Sequence, residues 1–156
     1  MDNPDVEIAQ TLAFGKGLRA LKAIPRGTVI ADWNGGQVYK AEKCTDLPKD
    51  IADHAIQFGE HCWIDTKGIG RYANHSCEPN CGIKGKFMLG AMRDIAKGEW
   101  LTFDYEMTED SDFRVNCQCG TKSCRKTIGA FRNLPNNARK KYKGFVSEWL
   151  VRKYNL

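Results

Sequence analysis

Short apolar segments, each bounded by glycine or proline, constrain the fold of this chain most. A strand forms from about five residues, whereas a helix usually takes about ten or more. Apolar pieces of two or three residues between turns are therefore typical of short strands. Strands of this kind favour small β-sheets over an alternating β–α arrangement, and one short helix is expected at 48–58. The strand-like segments are 29–31, 63–64, 87–89 and 101–103, with turns at 25–27, 35–36 and 97–98.

The end of the chain has the periodicity of a helix instead. Six apolar residues recur at intervals of three and four, which places them on one helix face. We expect an amphipathic helical region at 135–155, with Asn136 or Asn137 as N-cap after Pro135 and a weak or split point at Gly144. The apolar face should pack on the body of the protein, and partner binding is the alternative. The face comprises Tyr142, Phe145, Val146, Trp149, Leu150 and Tyr154.

Length and composition indicate an ordinary globular chain. Its 156 residues suit one compact domain, and 42% apolar and 28% charged residues are typical of soluble proteins. No segment approaches the ~18 apolar residues that a membrane span needs. The acidic residues 1–5 also lack the apolar core of a secretory signal. We therefore expect an intracellular protein, cytoplasmic or nuclear and chromatin-associated, whose cysteines stay reduced.

The net charge of +5 is unevenly distributed. Ten of the 24 Lys and Arg residues lie from residue 121 onward, against one of the 19 acidic residues, Glu148. A basic end favours a weak contact with nucleic acid, and the more acidic remainder favours a cationic substrate. The alternative for the basic end is a solvated helix face that carries lysines.

Three of the seven cysteines form the closely spaced group Cys117-x-Cys119-x4-Cys124. This spacing lets three thiolates converge on one ion, and a structural zinc ion takes four ligands. The residues between them are polar and bury too little apolar surface to order themselves without a metal. We predict a zinc site with Cys77 as the best candidate for the fourth ligand, because Pro79 follows in a turn. Rivals for the fourth position are Cys81, Cys62, His61 and His54; the alternative for the whole group is burial as reduced thiols.

Three longer motifs carry more information than the cysteines alone. Phosphate loops, zincin motifs and hydrolase elbows are absent from the sequence. Residues 14–27 contain F-G-K-G-L-R-A and I-P-R-G, 70–81 read G-R-Y-A-N-H-S-C-E-P-N-C, and 93–105 read R-D-I-A-K-G-E-W-L-T-F-D-Y. Together with the cysteine group, in this order, they resemble the SET-domain protein lysine methyltransferases with a post-SET zinc segment. The resemblance covers residues 5–130.

The resemblance implies a mainly β fold with short helices. It would be a β-clip-like arrangement of small antiparallel sheets with a knot-like threading of the C-terminal segment. The implied domains are a SET domain at 5–108 and a post-SET zinc segment at 114–130, followed by the helical region at 135–155. The implied function is S-adenosylmethionine-dependent methylation of lysine side chains in a histone tail or another basic protein. Cofactor and target lysine would enter from opposite faces.

The resemblance also assigns roles to residues. Tyr105 would be the catalytic residue, orienting the amine or the methyl group. Trp33, which stands where many members have a tyrosine, would form the substrate channel with Phe103 and Tyr105, and Phe103 would leave room for a second or third methyl group. The implied metal ligands are Cys77, Cys117, Cys119 and Cys124. The implied S-adenosylmethionine contacts are Lys16, Gly17, Arg71, Tyr72, Asn74, His75 and Tyr105.

Methyl transfer explains these residue types. The reaction is an in-line displacement, so the protein mainly aligns the reactants. The amine must be neutral although a free lysine has a pKa of ~10.4, and a dry channel beside a sulfonium cation lowers that pKa. The rival is a non-catalytic, zinc-bearing SET fold that binds peptide or nucleic acid. Trp33 and the basic end favour the rival, whereas Asn74, His75 and Tyr105 favour the enzyme.

Overall fold

The computed structural model describes residues 2–156, and over this range short strands dominate, as the short apolar segments predicted. The longest helix has seven residues. The strands are β1 (Val6–Gln10), β2 (Lys16–Ala20), β3 (Val29–Asp32), β4 (Val38–Lys40), β5 (Ala55–Gly59), β6 (Cys62–Asp65), β7 (Asn74–His75), β8 (Cys81–Lys84), β9 (Met88–Ala91), β10 (Trp100–Phe103), β11 (Val115–Asn116) and β12 (Thr127–Ile128). The helices are α1 (Lys49–Ala52), α2 (Asn136–Lys141) and α3 (Glu148–Tyr154), with 3₁₀ turns at Cys44–Asp46, Ile69–Tyr72, Tyr105–Met107 and Phe131–Asn133.

A four-stranded sheet in the order β1-β2-β10-β7 brings distant parts of the chain together. β10 pairs antiparallel with β2, but it pairs parallel with β7. In the parallel pair Thr102 lies opposite Asn74 and Phe103 opposite His75. The second and third sequence motifs therefore meet side by side at the end of β10.

Three smaller antiparallel sheets complete the fold. One has the order β3-β9-β8 and another the order β4-β6-β5. The third is the pair of β11 and β12, in which Val115 lies opposite Ile128. This pair closes the segment that contains Cys117, Cys119 and Cys124.

The main core lies between the four-stranded sheet and the β3-β9-β8 sheet. Leu18 and Leu101 from the first sheet and Ile30 and Leu89 from the second are excluded from solvent. Full burial of such a side chain stabilises the fold by ~1.5–3 kcal/mol. A smaller cluster around Trp63 supports the β4-β6-β5 sheet.

The C-terminal region is helical and split, as its periodicity predicted. Gly144, with φ of +82°, lies between α2 and α3. Tyr142 and Trp149 are buried in the main core, so the apolar face packs on the body. The predicted N-cap is wrong, because Pro135 occupies that position and Asn136 is the first helical residue. Proline fits there since its fixed φ suits a helix start and it has no N–H to satisfy.

The expected helix at 48–58 is also only partly correct. The helix ends at Ala52, and β5 begins at Ala55. Ile56 lies opposite Ile64 in the antiparallel pair of β5 and β6. This pairing with the next strand, joined to β5 by residues 60–61, overrides the local preference. No helix among residues 2–156 is both long enough and apolar enough to span a lipid bilayer.

Candidate active site and metal cluster

A cavity of about 470 Å³ lies at the junction of β7 and β10. Lys16 and Asn74 line one part of its wall, and Phe103 and Tyr105 line another. A second cavity of about 390 Å³ adjoins it and shares Asn74 in its wall. Pockets of a few hundred Å³ have the size of small-molecule and cofactor sites.

Tyr105 is fixed in the cavity wall by contacts along its whole length. Its backbone N–H donates to His75 Nδ1 (3.3 Å), and its hydroxyl donates to the Ala73 carbonyl oxygen (3.1 Å). Its ring lies 4.9 Å from the Phe103 ring and 5.3 Å from the His75 ring, between centroids. Burial raises the pKa of the Tyr105 hydroxyl to about 12. The hydroxyl therefore keeps its proton at neutral pH and remains a donor.

Asn74 holds the first motif against β7. Its amide Nδ2 donates to the Lys16 carbonyl oxygen (3.0 Å). A Cβ atom on Gly17 would lie only 2.8 Å from Asn74 Nδ2 and 2.8 Å from the Thr11 Cγ2 atom. Gly17 is therefore required for this close approach of backbone and side chain.

Arg71 and Tyr72 follow in the 3₁₀ turn before β7, and both line the large cavity. The Arg71 guanidinium pairs with Asp65 (3.0 Å) and donates to the Asp50 carbonyl oxygen (3.2 Å). The Lys16 Nζ atom lies 5.6 Å from the centre of the Tyr72 ring. Five of the seven predicted cofactor contacts line this cavity, His75 lines the adjoining one, and Gly17 lines neither.

Trp33 is placed differently from the other two predicted channel residues. It is 1% exposed and is not part of the cavity wall, whereas Phe103 and Tyr105 are. Its ring lies 5.9 Å from the Phe103 ring and packs closely against Gly70. Trp33 thus supports Phe103 from behind. Trp100, the first residue of β10, is 39% exposed.

A buried polar network beneath Tyr105 was not recognised in the sequence. Arg125 pairs with Asp104 (2.7 Å) and with Glu106 (3.3 Å), and the Tyr142 hydroxyl donates to Asp104 (2.9 Å). Burial raises the pKa of Asp104, and the charge of Arg125 opposes that shift. Asp104 belongs to a recognised motif, but its partners lie in segments where the spacing gives no signal.

Four potential ligand atoms cluster beside this network. The ring nitrogen of His75 and the sulfur atoms of Cys77, Cys117 and Cys119 lie within 4.8 Å of one another. The Cys77 and Cys117 sulfur atoms are 3.7 Å apart. Tetrahedral zinc with Zn–S bonds of ~2.3 Å separates its sulfur ligands by ~3.8 Å. The donor set and this spacing therefore fit a zinc ion.

The protonation of His75 disfavours it as a ligand, whereas the thiols differ among themselves: burial raises the pKa of Cys77, and it raises that of Cys117 to about 11. Burial lowers the pKa of His75 to about 3, so the ring is neutral at pH 7. His75 Nδ1 and Asp104 Oδ1, which are 3.6 Å apart, therefore do not form an ion pair. Because His75 Nδ1 accepts from Tyr105, its proton lies on Nε2, which faces the Cys77 sulfur at 3.4 Å. A protonated Nε2 donates to a thiolate and does not bind a metal. Burial alone would raise the pKa of Cys119. Its hydrogen bonds, of which the one with Thr121 has the largest effect, lower that pKa to about 6 instead.

Cys124 lies at the edge of the cluster. Its half-buried side chain packs with Cys77 and Cys117, and its sulfur lies 3.8 Å from the Cys117 carbonyl oxygen. Cys124 is not one of the four residues whose ligand atoms cluster, and His75 is the fourth member of that group. The rival ligands considered from the sequence are also outside the group; they are Cys81, Cys62, His61 and His54.

Comparison with known proteins agrees with the motifs. The family described as SET domain matches residues 15–106. The chain belongs to the SET-domain family. It is 34% identical over 142 residues to "Histone-lysine N-methyltransferase, H3 lysine-36 specific" of Cryptococcus neoformans, covering 80% of this chain and 17% of that protein. It is 31% identical over 139 residues to human "Histone-lysine N-methyltransferase 2B", covering 79% of this chain and 5% of that protein. This SET-domain chain thus spans less than a fifth of the length of these relatives.

Solved structures confirm the predicted SET-domain fold. The methyltransferase domain of human histone-lysine N-methyltransferase SETMAR is similar with a TM-score of 0.64 and 26% identity, over 80% of this chain and 58% of that one. KRYPTONITE in complex with mCHG DNA and SAH is similar with a TM-score of 0.62 and 25% identity, over 79% of this chain and 28% of that one. The mainly β architecture is shared with both.

Proposed function

We propose that this protein transfers a methyl group from S-adenosylmethionine to a lysine side chain of a protein substrate, a histone tail or another basic protein. The placement of Tyr105 carries this proposal: its neutral hydroxyl stands in the wall of a cavity beside Phe103 and Asn74. The relatives are named as histone-lysine N-methyltransferases, and one similar structure contains SAH. Because those relatives act on histones by name, we also propose an intracellular, chromatin-associated location.

The residues around β7 and β2 would hold the cofactor. S-adenosylmethionine supplies an electrophilic methyl group on a sulfonium. The Gly17 backbone allows close approach, and Asn74 fixes that backbone through the Lys16 carbonyl oxygen. Backbone and polar groups that are held in place before binding reduce its entropic cost. The other proposed contacts are Arg71, Tyr72, His75 and Tyr105.

Phe103 and Tyr105 would hold the target amine. Their rings exclude water, which favours the neutral amine that the displacement requires. The Tyr105 hydroxyl would orient the amine or the methyl group. Phe103 has no hydroxyl to bind a water beside the amine, so we propose that the site leaves room for a second or third methyl group. Trp33 would contribute to this channel by supporting Phe103.

We further propose that one structural zinc ion is bound by Cys77, Cys117, Cys119 and Cys124. The ion would order the polar segment at 114–130. The spacing of the Cys77 and Cys117 sulfur atoms supports it, as does the protonation argument against His75. In this assignment residues 5–108 form the SET domain, and 135–155 form a helical region that packs on it.

Methyl transfer can be tested directly. The protein is incubated with radiolabelled S-adenosylmethionine and a panel of histones and cell lysate, followed by mass spectrometry of the labelled site. We expect lysine methylation, and Tyr105→Phe should reduce the rate by about 10²-fold or more while S-adenosylhomocysteine still binds. Methylation by Tyr105→Phe at the wild-type rate would contradict the role of Tyr105. Absence of transfer to any protein would contradict the function.

Nucleic-acid binding is a second candidate, supported by the surface charge. Hydrogen bonds from Ser123 lower the pKa of Glu78, and the charges of Lys141 and Lys122 lower it further. Lysines from the cysteine segment and from α2 thus lie on one surface. An affinity for duplex DNA that falls steeply with salt, without methyl transfer, would favour the non-catalytic alternative.

A further inference from the structure

Glu109 differs from every other buried acid in the described part of the chain. Five acidic residues are buried there, and four of them have a basic partner. Glu109 is 7% exposed, yet no Lys, Arg or His nitrogen within residues 2–156 forms a salt bridge with it at 4.0 Å or less. Its Oε1 atom accepts one hydrogen bond, from the Ser111 backbone N–H (2.8 Å). The four pairs are Asp65–Arg71 (3.0 Å), Asp104–Arg125 (2.7 Å), Glu106–Arg125 (3.3 Å) and Asp110–Lys153 (2.9 Å).

Glu109 is part of the wall of the large cavity. It lines the same wall as Phe103, Tyr105 and Phe113. Glu109 follows Tyr105 by four residues, and its backbone N–H donates to the Tyr105 carbonyl oxygen (3.1 Å). Glu109 therefore belongs to the wall of the same cavity as the residue proposed to orient the amine.

The backbone around Glu109 is held on both sides. The Trp149 indole N–H donates to the Thr108 carbonyl oxygen (3.0 Å), and the Phe131 N–H donates to the Glu109 carbonyl oxygen (2.7 Å). The Asp110 N–H donates to the side chain of Gln57 (2.7 Å). These bonds fix the backbone on both sides of Glu109. The fold thus maintains a buried acid that lacks a counter-ion.

A buried charge without a partner is unfavourable, whereas a paired one is tolerated. Burial raises the pKa of Glu109, as expected for an acid that lacks a cation. The other charged or titratable groups of the cavity wall are Lys16, Cys44, Asp53, His54, Arg71, Tyr72 and Tyr105. Among them Arg71 is engaged by Asp65, and Lys16 lies over the Tyr72 ring. A cation that enters with a ligand would supply the partner that Glu109 lacks within residues 2–156.

We infer that Glu109 is a specificity-determining residue that binds the ε-ammonium of the target lysine as it enters the cavity. This inference rests on the proposed function, which supplies a lysine as substrate. Pairing selects a cationic side chain over a neutral one of equal length as it enters, and the nitrogen must then lose its proton before the displacement. The sulfonium of the cofactor is the competing partner, and the test separates the two.

The test uses n-butylammonium as a mimic of the lysine side chain and n-butanol as its neutral counterpart. Each is titrated into the full chain without cofactor, and the backbone amide signals of the cavity wall are followed by NMR. We expect n-butylammonium to bind at least tenfold more tightly than n-butanol. Glu109→Gln, which keeps an acceptor for Ser111, should bind the two equally. The matched control is Asp112→Asn, an exposed acid of the same loop, which should behave as the wild type.

Two results would overturn the inference. One is equal binding of the two probes by the wild-type protein, which requires no variant and so does not depend on the folding of Glu109→Gln. The other is a Glu109→Gln protein that alters the ratio of affinities for S-adenosylmethionine and S-adenosylhomocysteine but not the preference for n-butylammonium. Failure of methyl transfer with the alkylammonium preference intact would instead contradict the proposed function alone.

Discussion

The hydrogen bond from Tyr142 to Asp104 provides a sharp test of how the C-terminal region supports the candidate site. Tyr142 is buried, and its hydroxyl donates to the fully buried Asp104 carboxylate at 2.9 Å. Tyr142→Phe removes only this hydroxyl and keeps the ring in the core. A hydrogen bond to a charged group contributes ~1.5–3 kcal/mol. Arg125 and the Glu106 N–H still bind Asp104 in this variant. We therefore expect the free energy of unfolding to fall by ~2 kcal/mol, near the lower end of that range.

Urea unfolding measures this loss. With a slope of ~1–3 kcal/mol per molar urea, Tyr142→Phe should lower the midpoint by about 1 M. The control is Tyr39→Phe, because the half-buried Tyr39 makes no side-chain hydrogen bond within residues 2–156; it should change stability by less than ~0.5 kcal/mol. Equal stabilities of the two variants would refute the argument that Tyr142 stabilises the buried Asp104 charge.

Three further predictions address stability, cofactor and metal. A hydrogen bond from Arg93 is the main cause that lowers the pKa of Glu99 to about 2. Ionised Glu99 therefore stabilises the fold fully above its ordinary pKa of 4.5, and this stabilisation is lost as the pH falls toward 2. Glu99→Gln should therefore cost ~1 kcal/mol at pH 7, allowing for solvent screening, and progressively less below pH 4.5 in urea unfolding. Gly17→Ala should raise the dissociation constant of S-adenosylmethionine about tenfold in calorimetry, because the added Cβ forces strain of ~1–3 kcal/mol. Cys124→Ser should lower the zinc content found by elemental analysis well below that of Cys62→Ser, because Cys62 lies in β6 and does not pack with Cys77 and Cys117 as Cys124 does.

The sequence predicted those features that are local or that recur as motifs. The short strands follow from apolar segments between turns, and the split of the C-terminal region follows from Gly144. The meeting of 74–75 with 102–105 could be expected only from the family resemblance, because nothing local indicates a parallel pair. The β5 strand was missed because its partner β6 supplies the stabilising contacts.

The loop at 108–110 shows why polar composition alone misleads. Thr108, Glu109 and Asp110 have the composition of a solvated loop, yet all three are buried. Their partners, Trp149 and Gln57, lie some forty to fifty residues away in sequence. No periodicity links residues at such distances, so neither this burial nor the unpaired carboxylate could be predicted.

The polar network connects the metal segment and the catalytic turn physically. Arg125 follows Cys124 directly and pairs with Asp104, which precedes Tyr105. Replacing a buried ion pair with apolar side chains is often neutral or stabilising, so such a pair is weak evidence for stability alone. The same pair does fix register, because a cysteine segment docked one residue out of place would leave Asp104 and Glu106 buried without a cation. Tyr142 adds the same constraint from the C-terminal region. We therefore expect the position of Tyr105 to depend on correct docking of both segments, although neither contributes a side chain to the reaction.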